Sequence, residues 1–260
     1  MPELPEVERA ARLLDRLVRG RSIERVRVLH PSLARRLPPE RATLIEGRTV
    51  DRVVRRGKHQ LLHLDDGSVV HVHFRMTGDW HVGSRSEPDE RFTRLAFDLT
   101  GGARLALIDP RALSTVALVA DEAAVLPALG LEPLDPTFTA GVLRASLAAR
   151  RVPIKVALLD QRVVAGLGNI YAAEALWWAR IDPRTPARSV GATRLARLVT
   201  GIRRVLRRAS ADDGRYRDGT SAGRFAVYDR EGKPCRRCRT RIRRIVQAGR
   251  STYFCPRCQR

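Results

Sequence analysis

Two cysteine pairs near the end of the chain, Cys235-Arg236-Arg237-Cys238 and Cys255-Pro256-Arg257-Cys258, are separated by sixteen residues, and the sequence holds no other cysteine. Two thiolates three positions apart reach one tetrahedral ion from a single turn, and two such knuckles on a β-hairpin fill all four coordination positions. The spacing predicts one structural zinc ion held by Cys235, Cys238, Cys255 and Cys258, with no position left open for catalysis. Disulfides are the competing use of these residues. Nothing in the sequence points to an oxidising compartment, however, and pairs so close in sequence make poor staples. A segment this short and basic has too little apolar material for a core, so metal binding would supply its folding free energy. Arg239, Arg241, Arg243, Arg244 and Arg250 would then be displayed on a rigid hairpin.

Charge narrows the partner. The 260 residues include 49 Lys and Arg against 28 Asp and Glu, a formal net charge of +21. From Arg188 to Arg260 there are 21 basic and 5 acidic residues, a net of +16. A polyanion is the natural partner for that asymmetry, whereas a merely solvated basic face would not require it. Only three of the cations are lysines, Lys58, Lys155 and Lys233, and Asn169 is the sole asparagine. A lysine kept among so many arginines marks a position that suits a compact ammonium on a flexible stem. No uninterrupted apolar run is long enough to span a bilayer, and the opening residues do not read as a secretory signal.

The chain is long enough for two or three compact domains. Val7, Ala10, Ala11, Leu14, Leu17 and Val18 form a helical stripe, with Pro5 and Glu6 at its start and Gly20 past its end. Seven short alternating or β-branched segments follow: 23–28, 50–54, 61–64, 69–74, 95–99, 105–108 and 116–119. A leading helix with seven strands predicts a β-sandwich. Beyond a proline-punctuated connector at 129–136 the period becomes helical, at 142–149, 154–164, 170–179 and 193–209, with a polar loop at 211–224. The expected architecture is α+β and multidomain: residues 1–134 a β-sandwich with flanking helices, 135–226 a helical domain and 227–260 a zinc-bearing hairpin. Gly166-Leu167-Gly168 lacks the third glycine of a dinucleotide fingerprint and follows no strand, so it reads as a tight turn aiming backbone N–H groups at phosphate. His71 and His73 share a strand face and read as packing or polar contacts rather than a second metal site.

The amino terminus carries a second chemical signal. A small residue after Met1 favours removal of the methionine, which exposes Pro2 as a secondary amine able to attack a sugar C1′ and condense to an iminium. An α-amino group of ordinary pKa, about 7.7 to 8.0, is partly neutral at pH 7, and basic surroundings raise that share. Glu3 stands beside it as a proton carrier. Pro and Glu opening a helix would explain the same residues without any chemistry.

Several motifs, in order, resemble one family end to end: Pro2-Glu3-Leu4-Pro5-Glu6-Val7-Glu8, Arg55-Arg56-Gly57-Lys58, His73-Phe74-Arg75-Met76-Thr77-Gly78, Asp109-Pro110-Arg111, Leu129 to Leu134, Asp160-Gln161 through Gly166 to Tyr171, and the four cysteines. The chain is similar to the bacterial formamidopyrimidine-DNA glycosylases, with the endonuclease VIII enzymes next. The resemblance implies a β-sandwich, a helix-two-turn-helix domain and a zinc finger in a cytoplasmic, nucleoid-associated monomer that acts on damaged double-stranded DNA. It implies Pro2 as nucleophile, Glu3 as acid and base, and Lys58 and Asn169 on phosphates beside the lesion. Arg250 would be a further phosphate ligand, Lys155 a cation near the flipped nucleotide, and Glu6 and Glu174 supporting carboxylates. Met76, Arg111 and Leu113 would fill the gap left when a base is extruded.

Two departures bear on the substrate. Where the family usually carries Arg and Phe after Asp-Pro-Arg, this chain has Ala112 and Leu113, which removes an aromatic stack and a cation. The segment 217–225, at the place of a loop that covers an extruded oxidised purine, is short. Both weaken the case for 8-oxoguanine and favour abasic sites, ring-opened purines or oxidised pyrimidines. A rival from another class is a DNA-binding module that keeps the scaffold without activity; intact Pro2, Glu3 and Lys58 argue against it. A zinc-ribbon RNA-binding protein would account for the basic tail but leaves the N-terminal motif unused.

Overall fold

A computed structural model describes residues 2–126, 128–211 and 225–260. The chain forms two compact units that divide between Pro127 and Ala128. In the first, helix α1 (Leu4–Val18) precedes strand β1 (Ile23–Val28), the one-turn helices α2 (Pro31–Ala34) and α3 (Pro39–Ala42), and strands β2 (Val50–Arg56), β3 (His59–Leu64), β4 (Val69–His73), β5 (Asp79–Ser84), β6 (Thr93–Leu99), β7 (Ala103–Ile108) and β8 (Thr115–Val119). Two antiparallel four-stranded sheets result, ordered β1-β6-β7-β5 and β2-β3-β4-β8. Their apolar faces and the inward stripe of α1 share one cluster that includes Leu14, Val53, Val70, Val72, Phe97 and Leu107. This is the sandwich read from the alternating segments.

Strand β5 is an addition to the seven expected. Only Trp80 and Val82 alternate with polar residues in Asp-Trp-His-Val-Gly-Ser, and the strand pairs with β7 alone. An edge strand needs just one buried face and one partner, which leaves a weak pattern in the sequence. Trp80 anchors it by donating from Nε1 to Gln60 Oε1 at 2.9 Å.

The second unit contains α4 (Ala140–Leu147), α5 (Ile154–Leu158), α6 (Asn169–Ala179), α7 (Ala192–Ala211) and a hairpin of β9 (Arg243–Gln247) and β10 (Arg250–Phe254). Residues 129–134, grouped by sequence with the sandwich, bond here instead: Gly130 N–H donates to Gln161 O at 2.8 Å, and Leu131 bridges to Val164. Helix α5 stops at Leu158 rather than running to Val164. The stop has a local cause, because Asp160 accepts from the Arg162 N–H at 3.0 Å and turns the chain. Hydrogen bonds from Arg162 and Arg150 outweigh burial there and bring the Asp160 carboxyl down to about 2. α6 packs on α7 at Gly201, where a Cβ would stand 3.0 Å from Ala175 O, so a side chain there would press on the facing helix backbone. Among the described residues no helix is long and apolar enough to cross a membrane. The expected polar loop at 211–224 and the short segment before Phe225 fall almost wholly in 212–224, outside the described residues.

Candidate active site

The first unit holds Pro2, Glu3, Lys58, Met76, Arg111 and Leu113. Pro2 is buried immediately before α1, and Glu3 is its N-cap, 1% exposed. Glu3 N–H donates to Glu6 Oε2 at 2.8 Å, one half of a capping box that uses both carboxylates to satisfy the open N–H groups of the first turn. The helix-opening reading of these residues holds, and the cap fixes the backbone on which Pro2 and Glu3 sit. Glu6, expected as a supporting carboxylate, does this through backbone hydrogen bonding.

Lys58 lies in the tight turn between β2 and β3, where Gly57 has φ 59, and it is only 7% exposed. Two contacts tie that turn to α1. Arg55 Nε donates to Glu8 Oε2 at 2.6 Å, and an Arg55 terminal nitrogen donates to Gly57 O at 3.0 Å. Burial pushes the Glu8 carboxyl up, but Arg55 and Arg12 together hold it below the usual carboxylate range. The pair thus stays ionised and couples the lysine turn to the helix bearing Pro2 and Glu3.

Beside Lys58 stands a histidine group wider than the sequence suggested. His59 Nδ1 lies 2.8 Å from His71 Nε2, and the His59 ring also meets His73 edge-on, with centroids 4.9 Å apart. Arg75 N–H donates to His73 Nδ1 at 3.0 Å, which fixes that nitrogen as an acceptor. Burial first, with the field of Arg75 among the charges that add to it, brings His59 and His71 down to about 4 and His73 to about 3. All three are neutral near pH 7, in keeping with polar packing.

Met76, Arg111 and Leu113 are organised by one residue whose role the sequence did not reveal. Asp109 is fully buried and accepts from Arg111 N–H at 3.2 Å, Leu113 N–H at 2.7 Å and Ser114 N–H at 2.7 Å. It also accepts from the Thr77 hydroxyl, which links the Met76 loop to the Arg111 loop. Burial raises its pKa, yet these bonds outweigh it and keep the carboxyl below its ordinary value. Ser114 Oγ sits 3.1 Å from Phe74 O, and a Cβ at Gly78 would stand 2.9 Å from that same oxygen, so the two loops meet closely. Met76 and Leu113 are left 39% and 42% exposed and Arg111 exposed beside them, an apolar pair with one guanidinium. The sequence signal was present: an Asp followed by Pro, with Ala112 and Ser114 three and five positions on, is the makings of an Asx-type turn.

The second unit holds Lys155, Asn169, Arg250 and the cysteines. Lys155 is fully buried in α5. Asn169 is the first residue of α6 and donates from Nδ2 to Ser251 O at 3.0 Å, fastening the helix start to β10. Among the described residues its Oδ1 is buried without a hydrogen-bond partner. The turn before it is stapled by Gln161, whose Oε1 accepts from Gly166 N–H at 2.8 Å while Nε2 donates to Leu167 O at 2.9 Å. Arg250 is exposed at the start of β10, next to the hairpin turn at Ala248 and Gly249. Glu174 accepts from the N–H groups of Ala226, Val227 and Tyr228 at 2.8 to 2.9 Å. Burial raises its pKa against those bonds. This carboxylate fixes the backbone that leads into the finger.

The four Sγ atoms lie within 4.8 Å of one another, with Cys235 and Cys258 4.0 Å apart and Cys238 and Cys255 3.4 Å apart. Tetrahedral Zn–S bonds of about 2.3 Å require sulfurs roughly 3.8 Å apart, so the set fits zinc. All four cysteines are free, and the disulfide alternative falls. Arg237 N–H and Trp177 Nε1 each point at Cys235 Sγ from 3.4 Å, and Cys258 N–H points at Cys255 Sγ from 3.4 Å. Such donors stabilise thiolates around a metal.

Comparison with known proteins agrees with this assembly. Residues 1–116 match the formamidopyrimidine-DNA glycosylase N-terminal domain, 129–218 its H2TH domain and 232–260 the zinc finger found in FPG and IleRS. A formamidopyrimidine-DNA glycosylase of Chloroflexus aurantiacus is 44% identical over 271 aligned residues, covering 100% of this chain and 98% of the relative. Two Lactococcus lactis Fpg structures, one with Fapy-dG-containing DNA and one with DNA containing an oxidised pyrimidine, each superpose with TM-score 0.92 at 30% identity, over 100% of both chains. The fold and the cysteine site are those of base-excision-repair DNA glycosylases with a structural zinc finger. The chain belongs to the formamidopyrimidine-DNA glycosylase family.

Proposed function

We propose that this chain is a bifunctional DNA glycosylase and abasic-site lyase acting on damaged duplex DNA through an imine at Pro2. With Met1 removed, the Pro2 nitrogen attacks C1′ and the glycosidic electron pair leaves with the damaged base. The nitrogen gives up its proton to Glu3, which delivers it to the ring oxygen as the sugar opens, and the lone pair so freed closes to an iminium. That iminium acidifies the C2′ proton. Its loss expels the 3′ phosphate, and a second elimination expels the 5′ phosphate. Lys58, Asn169 and Arg250 hold the flanking phosphates, the first two from turns whose backbones are fixed by Arg55 and Gln161. The Gly168–Asn169 helix start adds N–H groups and a positive dipole end for the same anion. Lys155 lends positive charge on the helical side. Met76, Arg111 and Leu113 occupy the space vacated by the extruded base, with Arg111 facing the orphaned partner.

The observation that carries this reading is the buried Pro2 set directly against a capped, rigid helix start with Glu3 as its cap. Once Met1 is removed, the nitrogen exposed on that backbone would be held in place, where free chain ends are ordinarily loose. An amine held in place has lost most of the motion that would otherwise oppose attack. The substrates favoured are those that bind without a deep cover or an aromatic wedge: abasic sites, ring-opened purines and oxidised pyrimidines. Fapy-dG and an oxidised pyrimidine occur in the DNA bound by the Lactococcus proteins.

The test is the product spectrum on an abasic duplex. β,δ-Elimination leaves a one-nucleotide gap with phosphate on both sides. Cleavage that stops at an unsaturated 3′ aldehyde would remove the second elimination from the proposal, and binding without cleavage would support the catalytically silent rival.

A further inference from the structure

Within the second unit, α6 and β10 run side by side between two different surfaces. At one end Asn169 meets Ser251. At the other, Arg260 N–H approaches Arg180 O at 3.4 Å and Gln259 Nε2 donates to Ile181 O at 2.9 Å. Eleven residues of α6, at about 1.5 Å each, separate these ends by roughly 16 Å.

The second end carries an open cleft of about 810 Å³ lined by Arg180, Arg194, Arg197, Arg237, Arg257 and Arg260, together with Cys238 and Cys258. No acidic, aliphatic or aromatic side chain is among those lining residues. The carboxylate whose field reaches Arg194, Asp182, is already paired with Arg184 at 2.6 Å. Two of the guanidiniums are held in place: Arg194 donates to the main-chain carboxyl of Arg260, which offsets one charge, and Arg237 lies over the Trp177 ring at 4.3 Å.

One local use for these charges is to offset the metal centre. Four thiolates on one Zn²⁺ carry a net charge of about −2, which two arginines balance. With Arg194 set against the Arg260 carboxyl, three cations remain. Their common ligand must be multiply anionic. Planar forks suit phosphate oxygens, and an acidic peptide would also need an apolar anchor that this lining lacks.

We infer that this cleft is a second phosphate-backbone site, which takes a length of duplex DNA other than the one held at Asn169 and Arg250. One protein molecule then holds two DNA segments and passes between them without full release. The inference relies on the proposed function only for the identity of the first segment.

The experiment uses the full, zinc-loaded chain with two undamaged duplexes, one carrying a donor dye and one an acceptor. Energy transfer should appear at low salt, peak near one protein per two duplexes and fall with excess protein. Arg194→Ala with Arg197→Ala should abolish the transfer and lower the salt slope of joining by about 2, while nicking of a single abasic duplex stays unchanged. Arg194→Lys with Arg197→Lys should keep the transfer, which separates lost charge from lost fold. Absence of transfer in the parent protein, or undiminished transfer in the alanine variant, overturns the inference. Tighter binding of poly-glutamate than of DNA at this cleft, lost in the alanine variant, overturns it in favour of an acidic protein partner. Loss of nicking with transfer intact would instead count against the lyase reading alone.

Discussion

The sandwich and the finger hold their polar groups in place by opposite means. In the first unit a continuous apolar cluster from α1 through both sheets supports loops whose N–H groups are collected by buried carboxylates, Glu6 at the helix start and Asp109 between the Met76 and Arg111 loops. The finger has only a small cluster, Ala173, Val227, Ile242 and the cysteines Cys235 and Cys255, and is crowded with arginines. A core can bear the cost of desolvating a carboxylate when that carboxylate satisfies several donors. A module without a core needs a metal to set its geometry. The two halves should therefore fail separately, and differently.

The largest expected effect is on the finger. Cys238→Ser should release zinc and lower DNA affinity by about 100-fold or more, through loss of the phosphate contacts displayed on the hairpin. The sandwich should melt as before. Metal analysis, a binding titration and calorimetry check the three parts, and undiminished affinity in a zinc-free variant would break the contrast.

Asp109→Asn comes next. The amide nitrogen cannot accept from Leu113 and Ser114, so the unit should lose about 1 to 3 kcal/mol. Incision at a base-bearing lesion should fall by about tenfold, while an abasic site, which needs less from Met76, Arg111 and Leu113, should be nearly unaffected. Equal losses on both substrates would mean that Asp109 does not act through the extrusion loops.

The histidine group affects stability and its pH dependence rather than DNA. Its members titrate near 3 to 4 when folded but near 6.5 when unfolded. Below about 6.5 the unfolded chain binds protons that the folded chain refuses. Stability is thus fully present above 6.5 and is lost as pH falls towards 3, by about 1 to 2 kcal/mol per histidine at pH 5. Denaturant midpoints between pH 7.5 and 5 should show the slope, and His71→Val should flatten it.

Smallest of all, Leu113→Phe should sharpen base extrusion by about two- to fivefold in base-lesion turnover, because an aromatic ring stacks where an aliphatic one only fills. Steady-state rates on a ring-opened purine would show it. No change would leave the exposed Leu113 without a part in extrusion.

Much of this was legible beforehand because short-range rules carry it. The cysteine spacing fixed the metal set, and the stripe from Val7 to Val18 fixed α1 with its inward face. What escaped depends on contacts between residues distant in sequence. β5 has a weak pattern because only one of its faces is packed. His59 joins His71 and His73 only through the β3–β4 register. Asp109 looked like one letter of a motif, but its work is to gather donors from 111 to 114 and reach across to Thr77. Gln161, similarly, shows its use only once the Gly166 turn is folded against it.

The amine at Pro2 is the point on which the chemistry turns. Sodium borohydride added during turnover on an abasic duplex should reduce the iminium and leave one DNA adduct per protein, mapped by peptide mass spectrometry to the N-terminal peptide at Pro2. A protein that cleaves the duplex but yields no adduct there, or that is active with Met1 still attached, would contradict it.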